Sequence, residues 1–570
     1  MEYTVLSPWA KAESSKPFGI QPRPASLDGL TIGLYAHFKD GVPEFMQAIG
    51  ECLQKRYPTM KLSAYQYKKD GTEFCNDPEN DALMKAWLKD VDVVIAGLGD
   101  AGSCAMFVGY NIAYLEKLGK PTVTMVMPQF RNAFQRGASA RAVPAARCVI
   151  TGGPMAHSPM GVAGSGGIAM HMDAGPGSAS KDPVKENYPA AEKVMPEIIE
   201  ALTKPATEEE LTPAVQQDYA CATYTGDIME INRIFYRNGW TNGVPIIPPT
   251  EEAVREMLEG TDLPRDYVVA KLPPMLGEAT VEKIAVNAVM AGCLPSYMPV
   301  LIAAVKGFTD PSIIILEGWT CSVASWMPMT VVTGPVQRQL GINGGTGFLS
   351  PYGKASATIS RALAYIIMNI SGCRQGLEDM SGIGSLQKFG FLFGEDYENS
   401  PWTPMHTDYG FSAEDSVVTQ FWPAELEKFM GRGVEGALRS MCSVKATGWD
   451  CGCAFILSPD VAKSFADAGW TRKMIMDYVV EYNRFIDPVG GTFNNHYPKG
   501  SLFPEGGGYS RKTFWNTDHM FVMVAGSGTN LAFTGGGDHG GPARTKIELP
   551  KNWDALVEKY RAYVPNYIKY

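Results

Sequence analysis

Residues 30 to 150 alternate short apolar runs with amphipathic stretches. Leu30–Ala36 ("LTIGLYA") predicts a strand, Pro43–Tyr57 ("PEFMQAIGECLQKRY") a helix opened by proline, and Lys61–Tyr67 ("KLSAYQY") a second strand. A helix over about 81–89, a strand over 91–96, a helix over 104–118, and strands at Pro121–Met127 and Arg147–Gly152 continue the series. This βαβαβ alternation predicts an α/β fold, a doubly wound parallel sheet with helices on both faces and the flavodoxin-like strand order 2-1-3-4-5. Residues 152–180 are loaded with Gly, Ala, Ser, Met and Pro, as an active-site cover or a linker would be. A helix over 183–202 follows, and Thr203–Pro213 marks a domain boundary.

Beyond about residue 225 the pattern changes to longer helices, glycine-rich turns and strands that do not alternate neatly. Ala279–Cys293 and Ala355–Ile370 predict helices, and Pro311–Thr320 and Met329–Val336 predict strands. Residues 413–570 predict two helices, a strand within His519–Gly528, a glycine-rich loop and a last helix. The expected organisation is an N-terminal extension over 1–27, an α/β domain over 28–213, and an α+β region over 214–570 with one or two subdomains.

Composition narrows the classes. A chain of 570 residues, 45% hydrophobic and 19% charged, is a folded protein of more than one domain. Its net charge of −10 is spread out, with no Lys/Arg block, which argues against nucleic acid or an anionic membrane surface as partner. The first residues do not read as a secretory signal, and no run of roughly 18 apolar residues occurs. The odd count of 11 cysteines suits reduced thiols, so a cytoplasmic homo-oligomer is expected.

The chemistry concentrates in Val93–Cys104, "VVIAGLGDAGSC". Gly97, Gly99 and Gly102 spell G-x-G-x-x-G, which binds dinucleotide phosphates when it follows the first strand of a βαβ unit, with an acidic ribose partner further on. Here the loop follows the third strand, and Glu116, the candidate partner, lies inside a helix. The other reading starts from Cys104, placed with Ser103 where a helix begins. Unpaired backbone N–H groups and the positive end of the helix dipole there stabilise a thiolate. In the 2-1-3-4-5 order the loops after neighbouring strands converge on one crevice. They bring Asp100, His37, Lys39, Arg131 and His157 toward Cys104.

"GLGDAGSC" and "AHFKDG" (Ala36–Gly41) resemble the UGSC-motif family, the resemblance covering roughly residues 28–200. Family members carry selenocysteine or cysteine where this chain has Ala101, and Gly102, Ser103 and Cys104 match the rest of the motif. That family in turn resembles the substrate-specific selenoprotein B of glycine reductase. This implies attack of a selenolate or thiolate on substrate carbon, reductive loss of a leaving group, and resolution by a second thiol. Ala101 has no sulfur to contribute, so redox cycling at this loop needs another thiol. Several long stretches of the second half resemble a broad bacterial family associated with UGSC-type domains, which implies no particular activity.

Three further groups are candidates. Cys293 ends a helix, where the dipole disfavours a thiolate, and Glu282 is expected on about the same helix face. Cys451 and Cys453 form a C-x-C pair that suits a redox disulfide or, with further ligands, a metal. Phe533–Thr545 ("FTGGGDHGGPART") carries His539 in a glycine-dense anion-binding or lid loop.

The expectation is therefore a thiol-dependent oxidoreductase or lyase that cleaves or reduces a carbon–heteroatom bond of a small molecule between its domains. Its catalytic residues would be Cys104, the Ala101 position, Ser103, Asp100 and His157. Gly99, Gly102, His37, Lys39, Arg131, Glu282 and His539 would bind substrate. Cys451, Cys453 or Cys293 would supply a second thiol, and an external thiol or thiol-reductant protein the electrons, with a metal at Cys451/Cys453 left open. The alternatives are a nucleotide- or flavin-dependent oxidoreductase built on the glycine turn, and a non-catalytic small-ligand binder.

Overall fold

A computed structural model describes residues 1–11, 16–37, 42–67, 77–99, 101–151, 182–215, 219–313, 320–323, 325–350, 353–444, 452–487, 502–505, 508–514, 516–537 and 541–563. Strand β1 (Tyr3–Leu6) pairs antiparallel with Thr223–Gly226. Strands β2 (Thr31–Ala36), β3 (Lys61–Gln66), β4 (Val93–Gly99), β5 (Thr122–Val126) and β6 (Arg147–Ile150) form one parallel sheet in the order β3-β2-β4-β5-β6. Counted from β2, this is the expected 2-1-3-4-5 order of a flavodoxin-like, Rossmann-type sheet, with its switch point between β2 and β4. Every residue of β4 and β5 is buried, because helices cover both faces.

Helix α1 (Val42–Arg56) and the helix Tyr188–Thr203 cover one face, where Phe45, Ile49 and Leu53 meet Val194 and Ile198. Helices α2 (Pro78–Trp87), α3 (Gly102–Lys117) and α4 (Arg131–Ala140) lie on the other. α3 is apolar nearly all round and accordingly buried. α4 was not expected from the sequence. Apart from Phe134, its contact face is made of small residues, Ala133, Gly137 and Ala138, which give little hydrophobic signal but let the backbones of α3 and α4 touch. A Cβ on Gly109 would meet the Phe134 carbonyl oxygen at 2.4 Å, and one on Gly137 the Met106 carbonyl oxygen at 2.3 Å.

The N-terminal extension belongs to both halves of the molecule. Residues 3–10 bond to the second region, with Ala10 N–H donating to the Asn369 carbonyl and Lys283 Nζ to the Ser7 carbonyl. Residues 18–23 then cross to the α/β domain, where Arg23 pairs with the fully buried Glu116 at 2.9 Å. Thr203–Pro213 is no loose linker either. Its short helix Glu208–Leu211 has a capping box, and Arg147 of β6 grips Glu210 through two bonds of 2.9 and 2.7 Å.

The second region is α+β, in four layers. Helices Val281–Ala291, Met298–Gly307 and Lys354–Asn369 cover a sheet ordered Leu392–Gly394, Met329–Thr333, Val417–Phe421, Ala543–Lys546. That sheet packs on a second one, ordered Glu425–Met430, Asn530–Gly537, Gly452–Leu457, Met520–Val524, through Val331, Phe421, Ile456 and Phe521. Helices Gly433–Met441, Pro459–Asp467 and Arg472–Tyr482 close the far side. One expectation needs correction. The helix expected from Ala279 starts at Val281, because Gly277–Thr280 is a strand paired with Val268–Leu272. The strand expected over Pro311–Thr320 falls mostly on residues 314–319, which lie outside the described residues. No helix among the described residues is long and apolar enough to cross a membrane.

One buried acid in this region makes stability depend on pH. Glu395 is 1% exposed, its two oxygens accept the Met405 N–H at 3.0 and 2.9 Å, and Arg472 Nη2 lies 3.4 Å away. Burial pushes its pKa up to about 7, against the pull of Arg472. The folded protein therefore holds a proton that the unfolded chain releases near pH 4.5, and stability falls as pH rises from about 4.5 to about 7. The full loss is about 3 kcal/mol. Glu395→Gln is expected to flatten that slope, which urea unfolding at pH 5 and pH 7.5 checks; an unchanged difference between the two pH values would refute it.

Candidate functional site

β4 ends at Gly99 and α3 begins at Gly102, with Ala101 as its N-cap in extended backbone (φ −145°, ψ 169°). The first intrahelical bond runs from Ala105 N–H to the Ala101 carbonyl at 2.8 Å. The N–H groups of Gly102, Ser103 and Cys104 thus precede the helical ladder and point at the carboxyl edge of the sheet. The Ala101 side chain makes no capping bond. Cys104 and Ser103 are half-buried, and Cys104 sits in the third helical position, where the positive helix end favours a thiolate.

His37 follows β2 and spans the switch point: its imidazole is 7% exposed, and Nε2–H donates to the Leu98 carbonyl at 3.1 Å. Arg131 is exposed at the start of α4, beyond β5, and its charge opposes the burial that pushes the Cys148 thiol up to about 11. The sheet order thus brings His37, Gly99, Gly102, Ser103, Cys104 and Arg131 to one edge. Lys39, Asp100 and His157 lie outside the described residues.

The second region closes over this edge. A Cβ on Gly102 would fall 2.1 Å from the Cys321 carbonyl oxygen and 2.6 Å from Met380 Cβ. Only glycine lets the start of α3 sit against that backbone. Around the contact, Tyr110 Oη donates to the Pro274 carbonyl at 3.0 Å, Arg141 lies over the Tyr110 ring at 3.9 Å, and Arg136 reaches the buried Glu378 at 3.4 Å. Gly99 is also tight, its missing Cβ standing 3.2 Å from Ala105 and Val126.

Cys321 and Cys373 join Ala105, Met106 and Tyr110 in one buried apolar cluster. The Cys373 thiol donates to the Thr320 carbonyl at 3.1 Å, and burial, with the neighbouring Cys321 thiol, holds it well above the ordinary thiol range. Neither residue stood out in the sequence. Each is an isolated cysteine in an irregular stretch, and only the fold brings the two together.

The other expected residues lie elsewhere. Cys293 is buried among the helices of the second region, and burial pushes its thiol up to about 12. Glu282 does not accompany it. It is ion-paired with Arg265 and lines a separate cavity of about 540 Å³ with Cys221 and Lys283. Cys453 is fully buried beside Phe455 and Phe533, in a layer distinct from the one around α3. Cys451 and His539 lie outside the described residues. Among the described residues no three His, Cys, Asp or Glu side chains are grouped to hold a metal. Glu116 is not placed as a ribose partner: it is fully buried, pairs with Arg23, and accepts from the Gln21 and Thr122 N–H groups at 2.6 and 2.8 Å.

The UGSC family model matches residues 4–163, and the N-terminal part of the chain is a UGSC domain. No curated protein and no solved structure matches the chain. The matched range begins inside β1 and so takes in the strap that reaches the second region.

Gly102→Ala is expected to cost about 1–3 kcal/mol in urea unfolding, because its new methyl group must displace the Cys321 backbone. Gly436→Ala, in the helix Gly433–Met441 with nothing nearer than 3.8 Å, is expected to be neutral or stabilising by up to about 1 kcal/mol. Equal effects at the two sites would show that the close approach at Gly102 carries no weight.

Proposed function

We propose that the chain is a thiol-dependent enzyme that cleaves or reduces a carbon–heteroatom bond of a small organic substrate, with Cys104 as nucleophile. The observation that carries the reading is the placing of Cys104. It lies half-buried in the first turn of a 16-residue helix, at the switch point of a doubly wound sheet, under a second region that packs onto Gly102. The Cys104 sulfur forms a bond to substrate carbon as the carbon–heteroatom bond breaks, the heteroatom leaving with the electron pair and taking up a proton. An external thiol then attacks the Cys104 sulfur. Carbon leaves with its electron pair and is protonated, and a mixed disulfide remains on Cys104.

His37 is close enough to the loop to orient it, and Arg131 supplies a cation at the same edge for an anionic group on the substrate. Cys104 and Ser103 stand at the same edge, half-buried in the first turn of the helix. The nucleotide-binding reading of the glycine turn draws less support, since Glu116 is spent on Arg23 and the room at Gly102 is taken by the Cys321 carbonyl. The odd count of 11 cysteines suits reduced thiols, a cytoplasmic setting and an external thiol as electron source.

Iodoacetamide labelling of the native chain, read by peptide mass spectrometry across pH 5–9, tests the nucleophile. Cys104 is expected to label with a midpoint below the free-thiol value of about 8.5, while Cys293 stays unlabelled. Cys104→Ser is expected to abolish substrate turnover with the fold intact by circular dichroism. A Cys104 midpoint at or above 8.5, or a fully active serine variant, would sink the proposal.

A further inference from the structure

The mixed disulfide left on Cys104 has to be resolved, and Ala101 offers no sulfur. Two free thiols stand across the interface instead. Cys321 belongs to the backbone segment that presses on Gly102, two residues before Cys104, and its side chain packs in the same buried cluster as Ala105 and Met106, directly after Cys104. Cys373 is 8% exposed, its thiol donates to the carbonyl of Thr320, the neighbour of Cys321, and the two cysteines share one buried apolar cluster. The two cysteines are 52 positions apart in sequence, so the pairing is made by the fold alone.

Most buried cysteines behave as small hydrophobes, as Cys52 and Cys293 do here. Two thiols in one buried cluster, one of them bonded to the residue before the other, at the foot of the helix that carries the candidate nucleophile are a different arrangement. We propose that Cys321 and Cys373 are a dithiol that resolves disulfides formed on Cys104, a role that rests on the thiol reading of that residue.

The Cys321 thiol attacks the Cys104 disulfide, releasing the external thiol and forming Cys104–Cys321. Cys373 then attacks the Cys321 sulfur, expelling Cys104 and leaving Cys321–Cys373. Two thiol hydrogens end on the released thiol and on Cys104, so one disulfide is consumed and one is made. Direction follows from the environments. A buried, high-pKa thiol is the stronger nucleophile once deprotonated, and a thiolate at a helix N-terminus is the better leaving group. Two equivalents of external thiol, which leave as their own disulfide, or a thiol-reductant protein, return the pair to the dithiol.

The test treats the full chain with oxidised glutathione, without substrate, followed by acid quench, alkylation and peptide mass spectrometry. The expected product is a Cys321–Cys373 cross-link with Cys104 free and two glutathione thiols released per chain. Cys373→Ser is expected to stop at a Cys104–Cys321 link, and Cys321→Ala at glutathione on Cys104. Cys104→Ser is expected to slow formation of the cross-link at least tenfold. Free, jointly alkylated Cys321 and Cys373 in the oxidised wild type would overturn the proposal, as would cross-linking of the Cys104→Ser variant at the wild-type rate. Failure here with Cys104 still required for turnover counts against the dithiol alone. A cross-link in a chain whose Cys104→Ser variant keeps full turnover counts against the enzymatic reading alone.

Discussion

The close approach of the Cys321 carbonyl to Gly102 is the contact on which the rest of the arrangement depends. A missing side chain at one residue lets the second region lie directly on the first turn of α3. Everything around it serves that approach. Gly109 and Gly137 bring α4 against α3, Arg136 reaches across to a buried glutamate, and Arg141 and Tyr110 share the Pro274 carbonyl. The N-terminal strap acts in the same sense, because β1 is bonded to the second region while Arg23 is anchored on Glu116 of the α/β domain. Gly97, Gly99 and Gly102 are therefore explained by protein packing against protein, with no ligand needed to account for them.

That packing sorts the cysteines by electrostatics. A thiol on a helix N-terminus meets unpaired N–H groups, whereas a thiol in the apolar layers loses solvent and gains nothing in return. Cys52, Cys148 and Cys293 are pushed up to about 11, 11 and 12, each chiefly by burial. Cys293 shows this clearly: Lys354 and Arg361 pull its thiol downward, and desolvation still dominates. Position on the fold, more than the identity of the nearest charge, sets how far each of these thiols is raised.

The α/β half was legible in the sequence because its signals are local. Alternating strand and helix periods gave the elements, and the chirality rule gave their order, so the placing of Cys104 and His37 at one edge followed without coordinates. α4 escaped notice because Ala133, Gly137 and Ala138 carry little hydrophobic contrast. The four layers of the second region were not legible, since the first sheet interleaves strands from Met329 to Lys546 in non-sequential order. Glu282 and Cys293 were expected together on helical spacing, yet Glu282 turns outward to Arg265, and burial takes Cys293 inward. Cys321 and Cys373 carry no pattern at all, because contact between two loops 52 residues apart leaves no periodic trace.

Ala101 gains a meaning from this geometry. It occupies the N-cap, 9% exposed, in extended backbone, and its methyl group contributes no hydrogen bond to the helix start. A sulfur or selenium there would stand one helical turn before Cys104, off the end of the helix, and a disulfide between the two would have to close within the turn itself. Such a pair concentrates both redox atoms where substrate must also fit. On the proposed reading the helix end is left to a single nucleophile, and Cys321 and Cys373 lie behind it in the apolar layer that the second region completes, where they do not compete for the crevice.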